Sequence, residues 1–374
     1  MLVAGLVLVA SLLGPVRQTR VAADAFGPPV ITGQGYPPLR LYPDQIQAAS
    51  RLQQPPPVSA HAALLVDVDS GQTLFSLRPS DPLPPASTVK IMTALVVLRR
   101  ARLDEKVTVS PRAAGVEGSL MGLVSGESLT VEDLLYGLLL PSGNDAAVAL
   151  AEHVGGSEAG FVALMNETAA ELGLAQTHFT SSHGLDDPAE MISAADLLTL
   201  TKAALEYPTF ATIVATPTAQ VAGRTLTNTN ELLGTFPGVN GIKTGTTDAA
   251  GECLVASLMQ GKHRLLAVLL GSQDRYTDIK ALLDYALANW QWRTLDLTDN
   301  ALSWEADRDG RFHRLRTERT SDLFLPAWQW PLVQPVRVVS PTVPLTGTMR
   351  VGTLRLTLGE QVLSEVPLTT WQEP

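Results

Sequence analysis

The sequence predicts an α+β domain, an antiparallel sheet with a helical cluster, followed by a small all-β sandwich. Three observations lead there. Strand-like runs stand at both ends of a mainly helical stretch spanning 59–292, so the two ends of that unit can share one sheet covered by helices. Residues 293–374 contain no lysine and no helical periodicity, only proline-bounded segments of apolar alternation. A length of 374 residues, 45% of them hydrophobic, suits two units of unequal size.

The chain opens on an uncharged apolar run, Leu2 to Leu13, closed by Gly14-Pro15. The run has the length of a signal-peptide core and falls short of the ~20 residues a spanning helix needs. Ala23-Asp24-Ala25 fits a small-x-small cleavage site, so 1–25 reads as an export segment and the mature chain as starting near Phe26. No positive residue precedes the run, and Arg17 and Arg20 follow it, which leaves a retained N-terminal membrane association open. Residues 26–58 carry eight prolines in 33 positions and read as a semi-rigid linker.

Ordered structure is expected from Ser59. Ala62-Ala63-Leu64-Leu65-Val66-Asp67-Val68 and Thr73-Leu74-Phe75-Ser76-Leu77 are strand-like, and Asp69-Ser70-Gly71-Gln72 between them is turn chemistry. Pro84-Pro85 then pre-set the backbone for a helix that starts near Ser87 and continues to about Leu98. Thr130-Val131-Glu132-Asp133 resembles a capping box ahead of a leucine-rich helix. Pro141-Ser142-Gly143-Asn144 interrupts, and a helix resumes from Asp145 through about His153. Further helices are expected at 158–172 and 193–206, the second capped by Ser193 with Asp196 at its third position. From Val239 the pattern turns to strands, at Gly241 to Thr244, Glu252 to Met259 and His263 to Leu270, before a last helix from Asp274 to about Trp290.

In the terminal module, Leu354, Leu356 and Leu358 alternate with Arg355 and Thr357, while Met349 and Val351 hold the other phase. A bulge near Gly352-Thr353 reconciles the two. All six tryptophans lie beyond residue 289. Trp328 and Trp330, two apart, would share one face of a strand, as core or interdomain contacts in preference to a sugar-stacking platform.

Charge and composition narrow the function. A net charge of -10 without a basic stripe argues against nucleic acid as a partner. The single Cys253 excludes an internal disulfide and sits in an apolar run as a core filler. The six histidines lack metal-ligand spacing, so neither a metal site nor a cofactor is expected.

The chemistry is carried by three short motifs. A serine and a lysine three apart on a helix share a face, so Ser87 and Lys90 are within reach of each other. Ser87 at the positive end of a helix is an activated nucleophile or an N-cap, and the pair alone leaves both readings open. Ser87-x-x-Lys90 is the only S-x-x-K in the chain, Ser142-Gly143-Asn144 the only S-x-N, and Lys243-Thr244-Gly245 the only K-T-G. They fall in order on a helix start, an interhelical loop and a strand, the placements a serine acyl-transfer site needs.

With Pro84-Pro85-Ala86, Asp145-Ala146, His183-Gly184-Leu185, Gly241-Ile242, Thr246-Thr247 and Ala250-Gly251, these motifs resemble the low-molecular-mass penicillin-binding proteins, serine-type D-alanyl-D-alanine carboxypeptidases of peptidase family S11. The likeness covers most of 60–374, with Pro344-Leu345, Val351-Gly352-Thr353 and Pro367-Leu368 similar to that family's β-sandwich. It implies a penicillin-binding/β-lactamase-like transpeptidase domain. The implied function is removal of the terminal D-alanine from peptidoglycan stem pentapeptides ending in D-Ala-D-Ala, in cell-wall synthesis and remodelling. β-Lactam antibiotics are implied as covalent inhibitors, and the location as exported, in a cell wall or periplasm-like space.

On this resemblance Ser87 is the nucleophile, Lys90 its general base and Ser142 a proton relay. Asn144 would hydrogen-bond the substrate's peptide. Lys243 would depress the proton affinity of Lys90 and attract the terminal carboxylate, along a strand edge formed with Thr244, Gly245 and Thr246. The oxyanion hole would come from the backbone N–H groups of Ser87 and Thr246. Arg224, ahead of the K-T-G strand, would help bind the carboxylate. Many relatives end in an amphipathic membrane-docking helix, which Pro367-Leu368-Thr369-Thr370-Trp371-Gln372-Glu373-Pro374 does not resemble. Three other activities are compatible with parts of the pattern. A D,D-endopeptidase would use the same site on cross-links. A class A-like β-lactamase would need the E-x-x-L-N motif, absent between Asn144 and Lys243. A non-catalytic wall-binding protein would not need intact motifs.

Overall fold

The computed structural model describes residues 54–295, 303–307, 309–318, 320–339 and 349–371, together with Gln45. The apolar N-terminal run, its cleavage site and most of the proline-rich linker lie outside the described residues. The chain divides into two compact units, Pro55–Ala286 and one that holds Leu287–Pro374.

In the first unit, β1 (Ala62–Asp67) and β2 (Thr73–Leu77) form the expected hairpin. A 3₁₀ turn over Ala86–Val89 runs directly into α1 (Lys90–Arg100). Next come β3 (Lys106–Thr108), α2 (Pro111–Ala114) and β4 (Ser128–Thr130), the two strands pairing antiparallel. Helix α3 (Val131–Leu139) begins on a complete capping box: Thr130 Oγ1 accepts from Asp133 N and Asp133 returns the bond to Thr130 N, both at 3.0 Å. The Pro141-Ser142-Gly143 break separates it from α4 (Asn144–Gly155), which is followed by α5 (Glu158–Glu171). Ser193 caps α6 (Ala194–Leu205) by accepting from Asp196 N. The short α7 (Pro208–Val214) and a hairpin of β5 (Thr218–Val221) and β6 (Arg224–Thr227) had no signal in the sequence. Then follow β7 (Val239–Thr247), β8 (Gly251–Gln260), β9 (His263–Ser272) and α8 (Arg275–Asn289).

One antiparallel sheet in the order β2-β1-β9-β8-β7 joins the first and last strands of the unit. Cys253 to Leu258 and Leu265 to Leu270 are buried without alternation, as strands covered on both faces must be. Helix α1 is buried along Lys90 to Val97 and packs on α3, α4, α5 and α6, so it is the centre of the helical cluster. Burial of this helix fixes Lys90, and β7 at the sheet edge packs against the 3₁₀ turn that carries Ser87.

The second unit is all β: β10 (Trp290–Leu295), β11 (Trp304–Ala306), β12 (Phe312–Thr317), β13 (Ser321–Pro326), β14 (Val333–Val339), β15 (Arg350–Leu358) and β16 (Gln361–Trp371). They form a sheet ordered β11-β12-β16-β15-β14 and a separate β10–β13 pair. Leu315, Val351, Leu354, Val366 and Leu368 make its core. The β15–β16 register shifts between Arg350 and Gly352, so the slip inferred from leucine phase is a bulge just upstream of Gly352-Thr353. Trp328 and Trp330 require a correction. They do not share a strand but sit in a 3₁₀ turn over Ala327–Leu332, where Pro331 cannot donate to a ladder. Trp330 Nε1 donates to Gln291 O, and the Arg293 guanidinium lies 4.9 Å from the Trp330 ring centre.

Candidate active site

The 3₁₀ turn before α1 brings residues three apart onto one side, and it is followed by a helix that buries Lys90 completely, at 0% exposure. Lys90 Nζ lies 2.9 Å from Ser87 Oγ. It also donates to Asn144 Oδ1 and to the backbone oxygen of His183, each at 2.7 Å. The amine therefore has three oxygens around it, from α1's own turn, from the start of α4 and from the loop after α5.

Asn144 is the first residue of α4, and its side chain is already engaged by the protein. Beside its bond from Lys90, its Nδ2 donates to Glu117 O at 2.7 Å. It therefore braces the lysine against the 117–119 backbone, where the sequence had suggested a bond to substrate. Next to it, the buried Asp145 carboxylate accepts from the backbone N–H groups of Met121, Gly122 and Leu123 at 2.8, 2.8 and 2.9 Å. Ser142 has φ +65° and a buried hydroxyl with no hydrogen-bond partner among the described residues. It stands in the linking turn with its proton uncommitted, and does not bond Lys90.

From the other side, β7 supplies Lys243, 1% exposed, whose Nζ donates to Thr244 O at 3.0 Å. Thr244 turns to Thr229, the two hydroxyl oxygens 2.6 Å apart. Gly245 faces the turn that carries Ser87: a Cβ there would stand 3.0 Å from both Ala86 Cβ and Ser87 N. The absent side chain thus lets β7 close on Ser87. Arg275, at the start of α8, was missed by sequence reading. It donates to Gly245 O at 2.8 Å and Cys253 O at 3.1 Å, contacts Thr246 Oγ1, and pairs with Glu252 at 3.1 Å.

Arg224 does not join this group through any of its bonds. Its guanidinium meets the Glu127 carboxylate at 2.8 and 2.7 Å and donates to Gly122 O at 2.9 Å. Its charge is thus matched by a carboxylate of the chain, and it clasps the β5–β6 hairpin to the loop that Asp145 holds from beneath. The expected role in binding a substrate carboxylate has no support in this arrangement.

Burial sets the electrostatics. Lys90 is held well below the usual lysine range, first by loss of water and then by the charge of Lys243, against the opposing pull of Glu190 and Asp145. Lys243 is itself lowered to about 7, by burial and then by Arg275. His183 is lowered to about 4 by burial, despite Glu158 beside it. Burial pushes the Cys253 thiol up to about 11, which leaves it inert as a nucleophile.

Ser87, Lys90 and Asn144 are thus joined by direct hydrogen bonds, Gly245 abuts the Ser87 turn, and Arg275 ties Gly245 to Thr246. The acids Glu158 and Glu190 that brace these parts were not singled out from sequence, and Asp145 was quoted only for its place beside S-x-N, because each acts through groups 9 to 24 residues away in the chain. An acidic residue one position after S-x-N, at a helix start, was the only local hint.

A family model described as D-alanyl-D-alanine carboxypeptidase matches residues 49–274. The chain is 33% identical over 346 residues to the D-alanyl-D-alanine carboxypeptidase DacD of Salmonella typhimurium, covering 86% of this chain and 88% of that one. It is 36% identical over 249 residues to DacF of Bacillus subtilis, covering 63% of this chain and 64% of that relative. Among solved structures, penicillin binding protein 6B from Escherichia coli is similar at a TM-score of 0.67 and 32% identity, over 84% of this chain and 96% of that one. A variant of the Streptomyces K15 DD-transpeptidase is similar at a TM-score of 0.60 and 33% identity, over 62% of this chain and 99% of that one.

Proposed function

The chain belongs to the D-alanyl-D-alanine carboxypeptidase family, and from that membership we propose that it is a serine D,D-carboxypeptidase trimming the terminal D-alanine from peptidoglycan stem pentapeptides in cell-wall synthesis and remodelling. The observation that carries the mechanism is the set of oxygens around Lys90. A neutral amine has two N–H donors and one lone pair. With Asn144 Oδ1 and His183 O accepting the two donors, the lone pair is left for the Ser87 hydroxyl 2.9 Å away.

Ser87 Oγ bonds to the carbonyl carbon of the penultimate D-alanine as its proton passes to Lys90 Nζ. The carbonyl oxygen becomes an oxyanion between the backbone N–H groups of Ser87 and Thr246, each such donor worth ~10²–10³ in rate. The C–N bond then breaks, and the leaving amine takes a proton through the uncommitted Ser142 hydroxyl. Water attacks the resulting ester, returns a proton to Ser87 Oγ and frees the shortened peptide. Lys243 attracts the terminal carboxylate, with Thr244, Gly245 and Thr246 forming the strand edge along which the peptide lies. A β-lactam undergoes the same first step and remains as a long-lived acyl adduct. Its substrate makes this an extracytoplasmic enzyme; no described helix is long and apolar enough to cross a membrane.

Labelling with a fluorescent penicillin tests the reading. Wild type is expected to carry one covalent adduct and to release D-alanine from a pentapeptide, and Ser87→Ala to do neither. An unlabelled wild type or a labelled Ser87→Ala protein would overturn the mechanism.

A further inference from the structure

The third oxygen on Lys90 belongs to a loop, Thr180 to Leu185, whose shape two buried acids determine. Glu190, 2% exposed, accepts from Thr180 N at 3.1 Å and Ser181 N at 3.0 Å through one carboxylate oxygen. The Ser181 hydroxyl donates to the same carboxylate at 3.2 Å and itself accepts from Gly184 N at 2.9 Å. The bonds Glu190–Ser181–Gly184 thus close the loop around His183. On the opposite side Glu158 accepts from Ser182 Oγ at 2.9 Å and stands 3.5 Å from His183 Nε2, while Thr93 of α1 donates to Ser182 O at 2.6 Å. The loop is also pressed on the nucleophile: Gly184 has φ +86°, and any Cβ there would overlap Ala86 O.

The two acids differ in one respect. Glu158 is matched by Arg112, whereas Glu190 has only neutral donors and no ion-pair partner among the described residues. A buried carboxylate without a counter-charge is costly and is retained where its charge or its geometry serves another group. The group on the far side of this loop is the Lys90 amine.

We propose that Glu190 is a positioning residue for acyl transfer: it holds the Thr180-Ser181 backbone and thereby the His183 carbonyl that receives one N–H of Lys90. The inference rests on the reading of Lys90 as the base for Ser87. Four charged or titratable groups face Lys90. Lys243 from β7 favours its neutral form, Asp145 from α4 and Glu190 from the loop favour its charged form, and His183 is itself held neutral by burial. Glu190, in turn, is faced by Asp187 in its own turn and is pushed above the ordinary carboxylate range by burial.

The chain has only six lysines, so the Lys90 side chain can be followed by NMR of ¹³Cε-labelled lysine. In a Ser87→Ala background, adding Glu190→Gln keeps the side chain's size and an acceptor oxygen but removes the anion. The Lys90 titration midpoint is then expected to move to lower pH. In the active enzyme, Glu190→Ala removes the acceptor and is expected to slow penicillin acylation about tenfold, a loss of orientation and not of binding. Ser181→Ala, which breaks the same chain of bonds at a half-buried hydroxyl, should slow it likewise. In Glu190→Gln the acid limb of the acylation profile should shift down with the NMR midpoint. An unmoved Lys90 midpoint, or wild-type acylation rates in both alanine variants, would sink the proposal. So would a lowered melting temperature with an unmoved acid limb, since that is a purely structural role. None of these outcomes disturbs the assignment of Ser87, which fails only if wild type forms no adduct or Ser87→Ala forms one.

Discussion

Lys90 and Lys243 are both almost fully buried, and the proposed mechanism asks opposite things of them. Lys90 serves as base only after losing its proton, and Lys243 attracts a carboxylate only while keeping its own. Burial depresses both, the charge of Lys243 adding to it at Lys90 and that of Arg275 adding to it at Lys243, and the proposed mechanism requires Lys90 to give up its proton first as pH rises. Acylation should therefore climb on the acid side as Lys90 deprotonates and fall once pH passes about 7, where Lys243 becomes neutral. Lys243→Arg keeps the cation at any accessible pH, because a guanidinium does not titrate below about 12. The expected result is loss of the alkaline limb with the acid limb retained, read from penicillin acylation rates across pH. An alkaline limb that survives in Lys243→Arg assigns it to another group.

At the scale of elements, the close approach of β7 to the 3₁₀ turn depends on one missing side chain. Gly245→Ala would set a Cβ 3.0 Å from Ser87 N and Ala86 Cβ, and both neighbours are backbone or a buried methyl with little room to yield. The strand must shift away from Ser87 by a few tenths of an ångström, and where a misplacement of about 1 Å costs about 100-fold in rate, a shift of this size costs several-fold. Gly245→Ala should therefore acylate several-fold more slowly while its melting temperature changes little, and a near-wild-type rate would refute the packing role. The K-T-G motif announced the strand but not what Gly245 faces. That contrast runs through the molecule. Caps such as Thr130 with Asp133 and Ser193 with Asp196 were legible because donor and acceptor lie within one turn. The pairs β3–β4 and β5–β6 were not, since strands this short show no period. The Trp328 and Trp330 spacing misled because a two-residue interval also fits a proline-bearing turn. Arg275 reaches the site from a later helix, and Glu190 bonds backbone groups nine and ten residues before it, spacings that no local sequence pattern marks.

Across the whole catalytic unit, the first strand β1 and the late strand β9 are neighbours, so the sheet is complete only when the two ends of the unit meet. Asp278 secures that meeting. From the first turn of α8 it accepts from Ser59 N at 2.9 Å, Ser59 Oγ at 2.8 Å and Ser272 Oγ at 2.6 Å, and it is 5% exposed. One carboxylate thus binds the residue that leads into β1, the end of β9 and the helix that follows. Hydrogen bonds to a buried charged group are worth about 1.5–3 kcal/mol, and Asp278→Ala leaves the Ser59 N–H and two hydroxyls to find other partners. A loss of about 3 kcal/mol corresponds to roughly 6–12 °C in melting temperature for a unit of this size. Asp278 touches none of the groups around Ser87, so penicillin labelling of Asp278→Ala at low temperature should proceed at the wild-type rate. Thermal unfolding and labelling measured on the same sample separate the two effects. A variant that melts normally would show that sheet closure does not depend on this carboxylate, and one that stays folded yet labels slowly would show that the junction reaches the site.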